Sequence, residues 1–253
     1  MEQSKIEFSE KHRVTYYETN GQNKATLAMI INMAILASED QNNALLASNK
    51  VRDDLNASWV VIQYSIDINK LPRTDENVVL KTRASSYNKF FASREFWIND
   101  LNGNSYVHIS SNWVTMNLKT RKMVLIPKPL VEAYGFRHVD EIPHLKRPKR
   151  INDDADKFYQ KDYHVRYNDI DMNGHVNNSH YLNWIVDSLP ASFLSAYNPT
   201  HIDLRFKNEV RYGQNVESKV SIKNLNQTKA KTRHEIISND YLAVVANCVW
   251  KKN

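Results

Sequence analysis

Asp171, Asn173 and His175 stand at alternate positions of one short polar stretch, and Asn177 and Asn178 follow them. Beyond these an apolar pattern begins, with Tyr181, Leu182, Trp184, Ile185, Val186 and Leu189 spaced three and four apart as one buried helix face requires. A carboxylate, a carboxamide and an imidazole at the entrance of a helix suit a hydrolytic site. The first turn of a helix presents free backbone N–H groups and a partial positive charge, which can stabilise a developing oxyanion. Each residue alone has a plainer reading. Asp171 could cap the helix or hold a turn, His175 could be an ordinary surface or hydrogen-bonded histidine, Asn173-Gly174 is a turn signal, and Asn177 and Asn178 are common at helix entrances.

Metal chemistry fits the same letters poorly. Asp169-Ile170-Asp171-Met172-Asn173-Gly174 resembles the opening of a calcium loop, but the twelfth position, where a bidentate Glu is needed, is His180. Upstream, Tyr163, Val165 and Tyr167 alternate like a strand and not like an entering helix. His175 and His180 are spaced wrongly for one helix face, and the only Cys, Cys248, lies far off in an apolar run. No metal and no other cofactor is expected.

The chain has 253 residues, of which 42% are hydrophobic, enough for one large or two ordinary globular domains. A single Cys excludes an intrachain disulfide framework. Met1 to Arg13 is charged and has no apolar core of a secretory signal, so the cytoplasm is the expected compartment. The longest apolar stretch, Ala25 to Ala37, is broken by Thr26 and Asn32 and is too short to span a bilayer, so no membrane span is expected. The formal charge of +6 favours an acidic partner. Two basic groups stand out, Lys119, Arg121 and Lys122, and Lys146, Arg147, Lys149 and Arg150; their plainer readings are a solvated turn and a linker held extended by Pro143 and Pro148. Nucleic acid is not an expected partner, because there is no helix-turn-helix pattern, zinc-finger spacing or aromatic-and-basic motif.

The elements that must position the polar stretch suggest a duplication with the Pro-basic segment as its seam. In the first half a strand-like run, Arg13 to Tyr17, leads through Gly21 to a long apolar helix over about Asn23 to Ala47. Strands are predicted at Trp59 to Ile68, Val78 to Ser85, Phe90 to Asn99 and Tyr106 to Asn117, with Asn102-Gly103 as a hairpin turn. The second half repeats the order: a strand over Asp162 to Tyr167, the polar loop, a helix from Asn177 to about Ser195, then strands at His201 to Phe206, Val216 to Lys223, Thr232 to Ile237 and Leu242 to Trp250. The fold class is therefore α+β, each half being one helix buried by a curled, mostly antiparallel sheet. The expected domains are residues 1–141, a linker over 142–156, and residues 157–253.

Two segments carry a resemblance. Ser110-Ser111-Asn112-Trp113-Val114-Thr115-Met116-Asn117, continuing through Thr120-Arg121 to Ile126-Pro127, and Asp169 to Asn178 with Tyr181 and Trp184 following, together resemble the acyl-acyl-carrier-protein thioesterases of plant plastids and bacteria. The resemblance implies two tandem hot-dog domains, each a long helix wrapped by an antiparallel sheet, and hydrolysis of the thioester between a fatty acyl chain and acyl carrier protein. It places the catalytic set on Asp171, Asn173, His175 and Glu209. Members of the plant branch can carry a Cys directly after that Glu; this chain has Val210, which supplies no nucleophile. A plant-type targeting extension is also missing ahead of the match, so the bacterial branch fits better.

On this resemblance water attacks directly, with Glu209 as general base, a backbone N–H near the second helix polarising the carbonyl, Asn173 and His175 orienting water and substrate, and Asp171 anchoring His175 or the loop. The alternative makes His175 the base and Glu209 its orienter. The first half has Glu18-Thr19-Asn20-Gly21-Gln22-Asn23 where a second set would lie, so one active site per chain is expected. The first domain is expected to supply an acyl pocket lined by Met29, Ile30, Met33, Trp59, Val61 and Tyr64, although such a cluster also reads as plain core. The basic groups become docking candidates for acyl carrier protein, which is acidic as a class. An acyl-CoA thioesterase and a non-catalytic acyl-thioester sensor are the alternative functions, and pairing of two chains is left open.

Overall fold

The structure is a computed structural model that describes residues 6–45 and 56–253. The chain divides into two compact units, the first comprising residues 1–26, 32–64 and 69–145 and the second residues 27–31, 65–68 and 146–253. No described helix is long and apolar enough to cross a membrane.

In the first unit the sheet order is β1 (Glu7–Arg13), β3 (Asn77–Tyr87), β4 (Ala92–Asn99), β5 (Ser105–Asn117) and β2 (Ala57–Ile68), with antiparallel pairing from β1 through β5, and the two-residue strands β6 (Met123–Val124) and β7 (Arg137–His138) pair with β5 and β3. Alternate residues of β3, Val78, Leu80, Thr82, Ala84 and Ser86, point inward, the period of a half-buried strand. The β4–β5 hairpin turns where Asn102-Gly103 predicts. Gly103 takes a positive φ of 87°, and the Asp100 carboxylate accepts the Asn102 and Asn104 N–H groups at 2.9 and 2.8 Å.

Helix α1 (Leu27–Leu45) is apolar on most sides: Ile30, Ile31, Met33, Ala34 and Ala37 are each at most 3% exposed, while Leu36 faces solvent. The expected helix end at Ala47 lies outside the described residues. A buried cation ties α1 to the sheet. Arg94 of β4 donates from Nη1 to Ser38 Oγ at 2.9 Å, Gln41 Oε1 at 2.8 Å and Thr82 Oγ1 at 3.1 Å, with the Tyr134 ring 5.2 Å from the guanidinium. Burial pushes the Arg94 pKa down to about 10, so it stays charged at neutral pH. The short helix α2 (Lys128–Tyr134), which the sequence reading did not anticipate, starts after Pro127 and ends at Gly135 with φ 64°.

In the second unit the order is β9 (Tyr197–Phe206), β12 (Tyr241–Lys252), β11 (Lys229–Ser238), β10 (Asn215–Asn224) and β8 (Lys157–His164), all antiparallel. The single helix expected over Asn177 to Ser195 is two, α3 (Asn178–Asp187) and α4 (Ala191–Ala196). Pro190 has no N–H for a continuing helix and sits at the entrance of α4 instead. Two strands also start earlier than expected: the chain is extended at Glu7–Arg13 and Lys157–His164, and Tyr16–Glu18 and Tyr167–Asp169 are single 3₁₀ turns. In each turn a buried carboxylate, Glu18 or Asp169, accepts the N–H of the residue three before it, Thr15 at 2.6 Å or Arg166 at 2.9 Å. That local bond competes with the strand.

Helix α3 lies on the second sheet. Ser218 Oγ donates to Trp184 O at 3.1 Å, and the Trp184 ring stacks on Tyr163 at 5.9 Å. The Pro-basic segment is stapled to the outer face of the same sheet. Lys149 exchanges two 2.8 Å hydrogen bonds with the Asn247 side chain, and Arg150 grips Glu235 through Nε and Nη2, both at 2.9 Å.

Residues 65–68 of β2 belong to the second unit and carry a charged network. His201 Nδ1 lies 2.7 Å from Asp67 Oδ1, His201 Nε2 lies 3.1 Å from Asp203 Oδ1, and Ser65 Oγ donates to Asp203 Oδ1 at 3.1 Å. The hydrogen bond to Asp203 and, beyond it, that to Asp67 raise the His201 pKa despite partial burial. A histidine raised on folding stabilises in full below its unfolded value of about 6.5, and that stabilisation is lost as pH climbs through the raised native value. The melting temperature is therefore expected to fall between pH 6 and pH 8.5, by less in His201→Asn; thermal melts of both proteins at the two pH values check this.

Candidate active site

The polar stretch folds into a tight loop whose ends meet at an isolated antiparallel bridge between Ile170 and Val176. Asp171 N–H donates to His175 O at 2.8 Å, and Gly174 N–H donates to Asp171 O at 3.0 Å. Gly174 takes φ 79°, a conformation that suits glycine. The Asp171 carboxylate turns inward on its own loop, where Oδ1 accepts the Asn173 N–H at 2.8 Å and, more weakly, the His175 N–H at 3.4 Å. The Asp171 carboxylate thus holds the backbone of its own loop.

Two further bonds fix where this loop sits. Asn177 N–H donates to Asp169 O, and Val176 N–H donates to Val210 O, both at 2.9 Å. The second hooks the loop onto the turn after β9 and brings Glu209 to His175. His175 Nε2 lies 2.9 Å from Glu209 Oε2, with the two side chains 14% and 34% exposed. A carboxylate can only accept, so Nε2 carries the proton. Arg211 Nη2 stands 3.9 Å from the same oxygen. On its open side Glu209 lines a depression of about 320 Å³ together with Asn208, Arg211, Gln214, Ser238, Tyr241 and Ala243.

The entrance of α3 has its donors accounted for, with one exception. Asn177 Oδ1 caps the helix by accepting Ser179 N–H at 3.1 Å, and the Val176, Asn177 and His180 N–H groups have backbone acceptors. Among the described residues the Asn178 N–H has no such acceptor. The Asn173 side chain is exposed on the loop beside the pair, and Met172 at its tip is 95% exposed.

One residue at the site was read from sequence only as part of a helix face. Tyr181 is buried on α3, with its ring edge-on to Phe206 at 5.4 Å and to Trp184 at 5.3 Å. Burial pushes the Tyr181 phenol pKa up, and the neighbouring Glu209 and Asp171 carboxylates push it further. Its spacing marks it as core, and nothing in the sequence places it near the two carboxylates. Cys248 is sealed in the sheet, where burial pushes its thiol up to about 12, so it holds no thiolate at neutral pH.

The first half repeats the loop without its chemistry. Thr19 and Ala25 form the bridge, Asn20 N–H donates to Lys24 O at 2.9 Å, and Asn20 Oδ1 accepts Gln22 and Lys24 N–H at 3.0 and 3.3 Å. Asn23, at φ 58°, stands where Gly174 does, and Ala25 N–H donates to Pro72 O at 2.8 Å as Val176 does to Val210. In this register Asn20, Lys24 and Leu71 occupy the places of Asp171, His175 and Glu209. The first loop has neither the imidazole nor the carboxylate.

The remaining expected residues lie elsewhere. In the first unit Met33, Val61 and Tyr64 are buried, and Trp59 packs on Phe136 with ring centroids 5.8 Å apart, in a cluster with Ala84, Ala92, Val131 and Tyr134. Ile30 is buried and Met29 half-buried. Lys119 and Lys122 are exposed on the turn after β5, where Asn117 Oδ1 accepts the Lys119 N–H at 3.0 Å and Arg121 takes φ 55°. Lys146, Arg147, Lys149 and Arg150 are exposed, but the Arg150 charge is engaged by Glu235. Arg147 acts instead on its basic neighbours: burial and the Arg147 charge lower the Arg205 pKa, and burial with the Arg205 and Arg147 charges lowers that of Lys207.

Residues 5–134 match the acyl-ACP thioesterase N-terminal domain and residues 152–252 the acyl-ACP thioesterase C-terminal domain. A chloroplastic acyl-[acyl-carrier-protein] hydrolase of Cuphea viscosissima is 32% identical over 157 residues, which are 60% of this chain and 38% of that protein. The chain thus spans about two fifths of the length of such curated relatives. Among solved structures, a Lactobacillus plantarum protein assigned as an oleoyl thioesterase is 42% identical with a TM-score of 0.94, over 98% of this chain and 97% of that one. The 12:0-ACP thioesterase of Umbellularia californica, 19% identical with a TM-score of 0.86 over 98% of this chain and 94% of that one, shows the shared fold.

Asn20 already holds the first loop through its amide oxygen, so Asp171→Asn is expected to keep the fold, with a melting temperature close to wild type. Asp171→Ala leaves the Asn173 N–H without its acceptor and is expected to cost about 1 kcal/mol. Chemical denaturation of the two variants checks both values.

Proposed function

The chain belongs to the acyl-ACP thioesterase family, and from that premise we propose that it hydrolyses the thioester joining a fatty acyl chain to acyl carrier protein. The observation that carries the reading is the 2.9 Å contact between His175 and Glu209 at the mouth of a helix, beside an open depression. A carboxylate there can accept a proton from water while its other oxygen is held by the imidazole.

In this scheme Glu209 takes a proton from water, whose oxygen adds to the thioester carbonyl carbon. The Asn178 N–H, which has no acceptor among the described residues, faces the developing oxyanion. Collapse of the tetrahedral intermediate breaks the C–S bond, and the departing sulfur takes up the proton, giving free acid and carrier thiol. His175 keeps the Glu209 carboxylate oriented, Asn173 contacts water or substrate, and Asp171 holds the loop that presents both. Release of the acid ends chain elongation. The absence of a Cys after Glu209 and the buried state of Cys248 favour direct attack by water over an acyl-enzyme.

The same reading assigns the acyl pocket to the first domain, residues 1–141, with Met29, Ile30, Met33, Trp59, Val61 and Tyr64 as lining candidates. Carrier docking falls to Lys119, Arg121, Lys122, Lys146, Arg147 and Lys149. Arg150 is the weaker member of that set, since its charge is spent on Glu235.

Thiol release from acyl-ACP and acyl-CoA panels tests the whole reading. Wild type is expected to turn over the carrier-linked substrates with the higher kcat/KM, and Glu209→Gln to lower kcat by about 10² to 10⁴. A Glu209→Gln variant within a few-fold of wild type would remove Glu209 as the base. Charge reversal at Lys119, Arg121 and Lys122 is expected to raise KM for acyl-ACP and spare a small carrier-free thioester, and Met33→Trp to shorten the preferred acyl chain.

A further inference from the structure

Three cations of the second half gather at one place without a counter-charge. On β9, Leu204 is buried and Phe206 packs edge-on against Tyr181 at 5.4 Å, so Arg205 points to the opposite, outer face of the sheet. Lys207 N–H donates to Ala243 O at 2.8 Å, which carries the β9–β12 ladder one step past Phe206 and sets Lys207 on the same face as Arg205. The Pro-basic segment crosses that face strand by strand. Asp154 pairs with Lys223 of β10, Asn152 accepts from Arg233 of β11, and Lys149 N–H donates to Asn247 of β12 at 2.8 Å. The next strand in the order is β9, and there the Arg147 charge acts on both Arg205 and Lys207.

The carboxylates close by are engaged elsewhere. Asp203 is 2% exposed and held by His201 and Ser65, and Glu235 is held by Arg150. Among the described residues none of the three cations forms an ion pair. Like charges gathered around a half-buried guanidinium cost free energy, and an anion offsets it.

The first half shows that the fold does not ask for these cations. Asn69 and Lys70 N–H both donate to Tyr106 O, at 2.9 and 3.2 Å, as Lys207 and Asn208 N–H both do to Ala243 O, at 2.8 and 3.3 Å. This match sets Asp67 and Asn69 in the places of Arg205 and Lys207, just as Leu71 takes that of Glu209. The positive charges occur in the half that carries the His175–Glu209 pair, and they lead toward it. Arg205, Lys207 and Glu209 follow at alternate positions, so Arg205 stands no more than about 14 Å from Glu209 at the rise of an extended chain. Ala243, which holds Lys207, lines the depression beside Glu209.

We propose that Arg147, Arg205 and Lys207 form a phosphate-binding site, which receives the phosphate of the substrate's thiol-bearing arm while the thioester lies at Glu209. This rests on the hydrolytic reading of the site. Acyl carrier protein and CoA both hold the acyl group on a phosphopantetheine arm, so a phosphate set back from the thioester is an anion common to the two. Two guanidinium forks and an ammonium suit its oxygens.

The test uses one acyl chain on pantetheine and on phosphopantetheine, substrates that differ only in the phosphate. Wild type is expected to favour the phosphorylated one in kcat/KM by about ten- to a hundredfold, through KM. The double variant Arg205→Gln with Lys207→Gln is expected to bring that ratio to within about twofold of one, and Arg205→Lys, which keeps the charge, to retain most of it. The double variant's kcat/KM on acyl-ACP and acyl-CoA falls as well, and the larger fall names the bearer of the arm. Equal turnover of the paired substrates by wild type, or an unchanged ratio in the double variant, overturns the inference and leaves the hydrolytic reading standing. Should the double variant fail to fold, the exposed Lys207→Gln and Arg147→Gln are each expected to cut the ratio severalfold, and no change in either overturns the inference. A wild type that releases no thiol removes the hydrolytic reading alone. Calorimetric titration with acyl-free phosphopantetheine then decides: binding lost in the double variant upholds the phosphate site, and no binding by wild type overturns it.

Discussion

One backbone hydrogen bond, from Val176 N–H to Val210 O, carries the arrangement of the second half. It joins the loop that leads into α3 to the turn that leaves β9, segments far apart in sequence. Alone it is worth about 1 kcal/mol, as a typical hydrogen bond is. Its effect on geometry is larger, because His175 lies one residue before one end and Glu209 one residue before the other. Side chains adjacent to a fixed backbone contact inherit its position, and the 2.9 Å approach of imidazole to carboxylate follows. The Asp171 and Asp169 carboxylates stiffen the loop side of this clasp by taking local N–H groups.

The clasp is present twice, and its duplicate in the first half separates architecture from chemistry. Asn20 performs the loop-holding task of Asp171 with a neutral side chain, and Asn23 adopts the left-handed conformation that Gly174 takes. Lys24 and Leu71, however, cannot act as imidazole and carboxylate. A scaffold that closes the same way with different side chains shows that His175 and Glu209 are not there to close it. This speaks against a loop-closing task for those two residues. It leaves Asp171 with a structural task first.

Polar groups inside each unit are spent on fastening helix to sheet. Arg94 is kept charged in the first unit because three neutral acceptors and an aromatic face replace water around it. In the second unit the corresponding work falls to Ser218 at the Trp184 carbonyl and to stacked rings. The Pro-basic segment follows the same economy. Arg150 looks like a free charge in sequence, yet its guanidinium closes a two-pronged contact on Glu235, which limits what remains for an acidic partner.

The sequence by itself determined the period of each strand, the apolar faces of α1 and α3, the hairpin at Asn102-Gly103 and the candidate set of Asp171, Asn173, His175 and Glu209. These depend on local propensity, on side-chain alternation, or on resemblance carried by contiguous residues. It misplaced the first strand of each half, because the carboxylates of Glu18 and Asp169 fold their own upstream backbone into a turn, and it ran one helix through Pro190. Only the tertiary structure decided that His175 Nε2 meets Glu209, that the loop ends on the Val210 carbonyl, and that Leu71 is the counterpart of Glu209. Those facts depend on which distant peptide groups satisfy one another, and a periodic pattern does not encode a hydrogen bond between α3's entrance and the turn after β9.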